Sequence, residues 1–174
     1  MQYGCRRRML KDMRISFDLD EVLFVSPVTH EVEPPLRPPF NRFFPERVRK
    51  GAPELIRTLQ KQGFEVWIYT SSYRTERYLR ALFRSYGVHF DEIVNAQRHL
   101  REVQRDRKQI LPQKMPNYYR ISLHVDDEEN ILENGRRYGF RTMRVCEPDP
   151  DWAGKVLKEA NRIRALEEKA HAKP

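Results

Sequence analysis

Short apolar runs alternate along the chain with longer segments whose apolar residues recur at helical spacing. The runs that predict strands are Arg14–Asp18, Glu65–Tyr69, Asp91–Ala96, Ile121–Val125 and Arg141–Val145. Between them the spacing predicts helices over 52–64, 75–87 and 128–139, and an Asp-Pro pair opens a C-terminal helix over about 150–170. Such alternation is typical of a parallel sheet covered by helices. We therefore predict an α/β three-layer sandwich with a Rossmann-like parallel sheet and helices on both faces.

Three segments depart from this alternation. Residues 24–50 contain six prolines, which break regular structure, so we expect a short flap there rather than a domain. Residues 1–12 are basic without the apolar core of a secretory signal, and we expect an extension. The remainder, 13–174, is predicted to be one domain. Residues 97–117 are strongly basic and fit a helix followed by a loop.

The overall charge changes the picture of possible partners. Lys and Arg number 33 against 25 Asp and Glu, a net charge of +8. A basic surface favours anionic partners such as phosphate esters, nucleic acid or acidic lipid, although charge spread this evenly fits a solvated surface equally well. Cys5 and Cys146 are the only cysteines, which suits a reducing cytoplasm. No apolar run reaches the ~18 residues of a membrane span.

Acidic residues and a hydroxyl stand where the predicted strands end. Asp18 and Asp20 end the first strand, Thr70 follows the second, and Asp126 and Asp127 end the "ISLHV" strand. The carboxyl ends of parallel strands meet at one edge of the sheet, so these groups are expected to lie together. Because buried carboxylates are costly unless they are paired or bind a metal, we expect Asp18 and Asp20 at the lip of the core.

This series of acids, Thr, Lys and acids along the chain resembles the haloacid dehalogenase (HAD) superfamily, whose members are mostly phosphatases. The resemblance covers Arg14 to Val145 and rests on "FDLDEVL", "WIYTS", a lysine, and "LHVDD" in that order. Two lysines compete for the third motif. Lys114 keeps the short interval to the acidic pair that is usual in the family, and Lys108 is the alternative. A receiver domain also combines acids, Thr and Lys, but in a different order.

By resemblance, Asp18 would attack phosphorus and form an aspartyl-phosphate, and Asp20 would act as general acid and base. The implied phosphate-binding residues are Thr70, Ser71 and Lys114, and the implied Mg²⁺ ligands are Asp18, Asp20 through its backbone carbonyl, Asp126 and Asp127. Dehalogenases of the superfamily lack the second Asp, so Asp20 favours a phosphatase. Glu21-Val22 replaces the more usual Gly-Thr, and this departure leaves the fine specificity open.

The connections are too short for a large cap domain, and minimally capped relatives act on macromolecules or cover the site by oligomerising. The sequence therefore predicts a Mg²⁺-dependent phosphatase acting on a small or macromolecular phosphoester, with nucleic acid and a second copy as further partner classes. A non-catalytic basic binding protein with the same fold is the alternative, and phosphoryl transfer to another acceptor is not separated from hydrolysis. Phe40, Phe43 and Phe44 are expected to pack on the core rather than stack on a base, and His124 is expected to be a core histidine.

Overall fold

A five-stranded parallel sheet forms the centre of the protein. A computed structural model describes residues 13–105, 108–145 and 148–171. Its strands are β1 (Arg14–Phe17), β2 (Glu65–Tyr69), β3 (Glu92–Val94), β4 (Ile121–Asp126) and β5 (Thr142–Arg144). Every pairing is parallel, and the order across the sheet is β3-β2-β1-β4-β5. The predicted Rossmann-like α/β sheet is confirmed, with β1 at its centre.

Helices connect the strands along the chain. They are α1 (Phe40–Phe43), α2 (Ala52–Lys61), α3 (Glu76–Ser85), α4 (Ala96–His99) continued by a π-helical turn (Leu100–Gln104), a 3₁₀ turn (Pro116–Tyr119), α5 (Asn130–Tyr138) and α6 (Trp152–His171). Local signals explain their ends. The Thr75 side chain caps α3 by accepting from the Tyr78 amide, and Gly139 ends α5 in the left-handed region at φ 73°.

Both faces of the sheet are buried, as β2 illustrates. Val66 and Ile68 point into a large apolar cluster with α2, α3 and α6. Trp67 and Tyr69 point the other way, into a smaller cluster with the 3₁₀ turn and α5. Alternate residues of a strand face opposite sides, so a strand buried on both sides must be apolar throughout. This is why "EVWIY" lacks polar alternation.

The proline-rich flap leaves the core after β1 and returns to it before α2. Isolated bridges join Phe24 to Val48 and Val32 to Arg49 at its base. The returning end lies under α6, where the Trp152 indole donates to the Lys50 carbonyl at 2.9 Å and stacks 4.6 Å from the Arg49 guanidinium. The flap is thus held at both ends.

The flap corrects one expectation about its phenylalanines. Phe44 packs against Tyr78 at the edge of the core, as predicted. Phe40 and Phe43 do not, because the short helix α1 buries none of its residues and leaves these rings 53% and 66% exposed.

Among the described residues, the flap and the segment between β2 and β3 contain only short helices and loops besides α3. No described helix combines the length and apolar character that crossing a bilayer requires. The predicted extension 1–12, with Cys5, lies outside the described residues, as does Cys146.

Candidate active site

Three neighbouring strands deliver polar side chains to one edge of the sheet. Asp18 directly follows β1, and its amide donates to the Val125 carbonyl of β4 at 2.9 Å. Asp126 ends β4, and Thr70 follows β2, with its amide bonded to Val94 of β3 at 2.9 Å. The backbone pairing therefore continues one residue past β1 and β2. This fixes the positions of Asp18 and Thr70 relative to Asp126.

Lys114 bridges two of these acids. Its ammonium nitrogen lies 3.0 Å from Oδ2 of Asp18 and 2.7 Å from Oδ2 of Asp126. All three side chains are buried. The competing lysine, Lys108, is exposed in the loop before it. Geometry thus brings Lys114, and not Lys108, to the acids.

Asp127 completes an acidic cluster with Asp18 and Asp126. One carboxylate oxygen from each residue lies within 4.8 Å of the other two. Oδ1 of Asp18 is buried and makes no hydrogen bond to any described residue. Three carboxylates face one ammonium, so negative charge is in excess. Mg²⁺ is a hard cation that prefers oxygen ligands, and an unpartnered buried carboxylate oxygen within such a cluster fits it.

Burial and the close approach of the charged groups shift the pKa values of the three carboxyl groups. Burial, reinforced by the negative charge of Asp126, raises the pKa of Asp18 although Lys114 opposes the shift. Burial and Asp126 also raise the pKa of Asp127, to about 6. Burial alone would raise the pKa of Asp126 as well, but hydrogen bonds and charge from His124 and Lys114 outweigh burial and lower it. His124 and Lys114 therefore favour the ionised form of Asp126.

His124 connects Asp126 to Ser16 through both nitrogens of its ring. Its Nε2 lies 2.8 Å from Oδ2 of Asp126, and its Nδ1 lies 2.8 Å from Oγ of Ser16 on β1. All three residues are fully buried, so His124 is the satisfied core histidine that the sequence predicts. Sequence reasoning did not find its link to Asp126, although alternation places residues 124 and 126 on the same face of β4.

Thr70 and Ser71 lie on the loop that follows β2. The Thr70 side chain is almost fully buried, and its Oγ1 accepts from the Ser72 amide at 3.1 Å. Ser71 is half-buried beside it. The loop therefore places two hydroxyls at the same sheet edge as Asp18.

Asp18 and Asp20 separate sharply, which corrects the expectation that both lie at the lip of the core. Asp18 is 5% exposed, whereas the Asp20 side chain is 55% exposed and pairs with Arg74 at 3.0 Å. The chain turns directly after Asp20, where Glu21 adopts a left-handed conformation at φ 58°. That conformation favours glycine, the residue usual there in the resembling family.

Comparisons with known proteins concern the fold. No protein-family model and no curated protein matches the chain. A chain of the Pnkp1/Rnl/Hen1 complex has a TM-score of 0.52 at 16% identity, covering 79% of this chain and 47% of that chain. A HAD-superfamily hydrolase (subfamily IA, variant 1) from Geobacter sulfurreducens has a TM-score of 0.49 at 15% identity, with coverages of 79% and 89%. An uncharacterized protein from Listeria monocytogenes serotype 4b has 0.48 at 17%, with coverages of 84% and 97%.

At these identities the likeness is one of fold alone. The TM-score of 0.52 supports the parallel α/β arrangement, and HAD-superfamily hydrolases are among the similar structures. The chain spans about half of the Pnkp1/Rnl/Hen1 chain that it matches.

Proposed function

We propose that the protein is a Mg²⁺-dependent phosphatase that hydrolyses phosphoesters through an aspartyl-phosphate on Asp18. The observation that carries this proposal is the buried cluster in which Lys114 contacts Asp18 and Asp126 while Oδ1 of Asp18 has no hydrogen-bond partner among the described residues. A carboxylate held in place but left unsatisfied on one oxygen is suited to attack an electrophile. Asp18, Asp126 and Asp127 would hold the metal, together with the Asp20 backbone carbonyl.

In the first half-reaction, Asp18 would attack phosphorus while the bond from phosphorus to the leaving oxygen breaks. The Asp20 carboxyl would give its proton to that oxygen. Lys114 offers positive charge beside the nucleophile, and the Thr70 and Ser71 hydroxyls are available for phosphoryl oxygens. Mg²⁺, when bound, supplies the charge that removes repulsion between two anionic reactants.

In the second half-reaction, water would attack phosphorus of the aspartyl-phosphate and lose a proton to Asp20. Inorganic phosphate leaves, the Asp18 carboxylate is restored and Asp20 is again protonated for the next turnover. The separation of the two acids supports this division of labour, because Asp18 is buried beside Lys114 and Asp20 is accessible to a leaving group and to water.

The test is hydrolysis of a panel of aryl, alkyl and nucleotide phosphates with Mg²⁺ and with EDTA. We expect Mg²⁺-dependent release of phosphate and its loss in Asp18→Asn. Borohydride reduction during turnover, followed by mass spectrometry, should convert residue 18 to homoserine in the wild type. An absence of turnover across the whole panel would contradict the proposal. So would full activity in Asp18→Asn.

The alternative, a non-catalytic basic binding protein, has weaker support. In the basic segment 97–120, the Arg98 guanidinium is already engaged by Glu92 at 2.6 Å and Glu102 at 3.1 Å. Internal pairing leaves less charge for an anionic partner. Binding of RNA or DNA that weakens steeply with salt, and that Asp18→Asn leaves unchanged, would favour the alternative.

The absence of a large cap in the described chain supports an open site that admits a bulky phosphoester, whether a small molecule or the end of a macromolecule. Transfer to an acceptor other than water stays within the proposed chemistry. Adding alcohols to the panel reaction would detect it as a phosphorylated alcohol.

A further inference from the structure

One arginine next to the proposed general acid is held far more firmly than a surface arginine needs to be. Arg74 lies on the loop between β2 and α3, and its Nη1 donates to Oδ2 of Asp20 at 3.0 Å. The same nitrogen donates to Oγ of Ser72 at 2.9 Å, and Nε donates to Oε1 of Glu46 at 3.2 Å. The guanidinium also lies 5.5 Å from the centre of the Phe24 ring.

The supports of Arg74 come from separate parts of the chain. Glu46 belongs to the flap, and its second oxygen accepts from the Tyr78 hydroxyl of α3 at 2.5 Å. The Arg74 carbonyl accepts from the Asn95 side chain at 3.0 Å, which fixes the backbone of the loop against β3. The Glu46 side chain is only 14% exposed, so its pairing with Arg74 is shielded from solvent. The guanidinium is thereby oriented before any substrate arrives.

Asp20, in contrast, has little to orient it by itself. Its side chain is 55% exposed, and the turn that begins with the left-handed Glu21 comes directly after it. A general acid must be held within hydrogen-bond reach of the leaving oxygen, because proton transfer depends on that geometry. An exposed aspartate can adopt several rotamers, and ordering it has an entropic cost. A guanidinium that is already fixed removes much of that cost.

We propose that Arg74 is the positioning residue for Asp20 and that Glu46 fixes Arg74 for this task. The inference rests on the proposed phosphatase function. Arg74 holds one carboxyl oxygen of Asp20 and leaves the other to carry the proton toward the leaving group. The flap thereby contributes to catalysis through a half-buried carboxylate that touches no substrate.

Leaving groups of different basicity distinguish positioning of an acid from other roles. An aryl phosphate with a weakly basic leaving group, such as p-nitrophenyl phosphate, needs little protonation, whereas an alkyl phosphate such as glycerol phosphate needs it. General acid catalysis contributes ~10²–10⁴-fold. We expect Arg74→Gln to lower kcat on glycerol phosphate about 100-fold and on p-nitrophenyl phosphate only a few-fold. Asp20→Asn should show the same selectivity, and the double variant should lose no more than Asp20→Asn.

Three further variants sharpen the test. Arg74→Lys keeps a donor without the planar fork and should recover part of the loss on glycerol phosphate. Glu46→Gln should show a weaker loss that is again larger on glycerol phosphate than on p-nitrophenyl phosphate. This variant tests the proposal even where Arg74→Gln fails to fold. Arg80→Gln is the matched control, because Arg80 on α3 pairs with Glu76 at 2.8 Å at similar exposure but does not contact Asp20. It should leave the ratio of the two activities unchanged.

The outcomes separate cleanly. A uniform loss on both substrates, a change in KM alone, or a double variant whose losses multiply would overturn the positioning role of Arg74. If Glu46→Gln leaves the ratio of the activities on glycerol phosphate and p-nitrophenyl phosphate at the wild-type value, Glu46 has no part in positioning Asp20. If the wild type turns over no phosphoester at all, the proposed function itself fails, which is a different result from a wild type that is active and an Arg74 variant that is not selective.

Discussion

Nζ of Lys114 lies 2.7 Å from Oδ2 of Asp126, and both side chains are almost completely buried. The pair joins the loop before the 3₁₀ turn to the end of β4. A buried ion pair contributes little net stability as a pair, but removing one partner leaves the other charge without compensation.

Lys114→Met should destabilise the protein by about 3–5 kcal/mol and abolish phosphatase activity, because it leaves Asp18 and Asp126 buried without their cation. Urea denaturation followed by circular dichroism measures the first effect, and phosphate release measures the second. Lys108→Met is the control, since Lys108 is exposed. Equal unfolding midpoints for the two variants would contradict the arrangement.

Mg²⁺ should stabilise the folded protein by binding the three carboxylates. At a hundred times its Kd, a ligand specific for the native state adds ~2.7 kcal/mol. We expect thermal unfolding to shift upward with Mg²⁺ and to return with EDTA. Asp127→Asn should remove most of this shift, because it takes away one of the three carboxylates.

Glu133→Gln serves as the control for the metal, since Glu133 is an exposed acid on α5 outside the cluster. It should retain the full Mg²⁺ shift. A shift of the same size in Asp127→Asn would mean that Mg²⁺ binds elsewhere.

His124→Phe should lower the free energy of unfolding by about 2–3 kcal/mol. The substitution deprives Ser16 of its partner and Asp126 of one of its donors, and buried polar groups left unpaired cost ~1–3 kcal/mol each. Urea denaturation measures the change. His89→Phe is the comparison on an exposed histidine and should change stability little. A cost below ~0.5 kcal/mol for His124→Phe would argue against the buried chain of contacts.

Glu21→Gly should stabilise the protein by about 0.5–1 kcal/mol relative to Glu21→Ala. A side chain in the left-handed region costs ~1–2 kcal/mol, and glycine avoids this cost while losing ~0.5–1 kcal/mol of backbone entropy on folding. Alanine removes the carboxylate but keeps the unfavourable conformation. The difference between the two variants in urea denaturation therefore measures the free-energy cost of the left-handed backbone conformation at residue 21. Equal stabilities would mean that residue 21 does not need its positive φ.

Much of the fold was predictable because the strands are buried on both faces. An apolar run such as "EVWIY" admits few other interpretations, and glycines or capping residues mark where the helices end. The edge of the sheet that gathers Asp18, Thr70 and Asp126 followed from the rule for parallel strands. Lys114 was favoured by its interval to the acidic pair, and it is the lysine that contacts both acids.

The remaining contacts depend on the paths that the loops take, and the spacing of apolar residues does not predict those paths. No sequence pattern connects Arg74 with Asp20 or with Glu46, because each residue comes from a different loop. Phe40 and Phe43 were expected to be packed since they are apolar, but four residues of helix in a proline-rich flap do not reach the core. The depth of Asp18 was misjudged because the cation that it contacts, Lys114, is remote in sequence.

The central position of β1 determines when the site can come into existence. β1 pairs with β4, so Asp18 obtains its neighbours Lys114 and Asp126 only when residues about a hundred positions further along the chain have folded against it. Contacts between such distant positions form late, because the intervening chain has to be ordered first. A ribosome-bound chain that ends before β4 carries the Asp18 carboxylate without a binding site. We therefore expect Mg²⁺-dependent protection of this edge only in chains long enough to include β4 and Asp127.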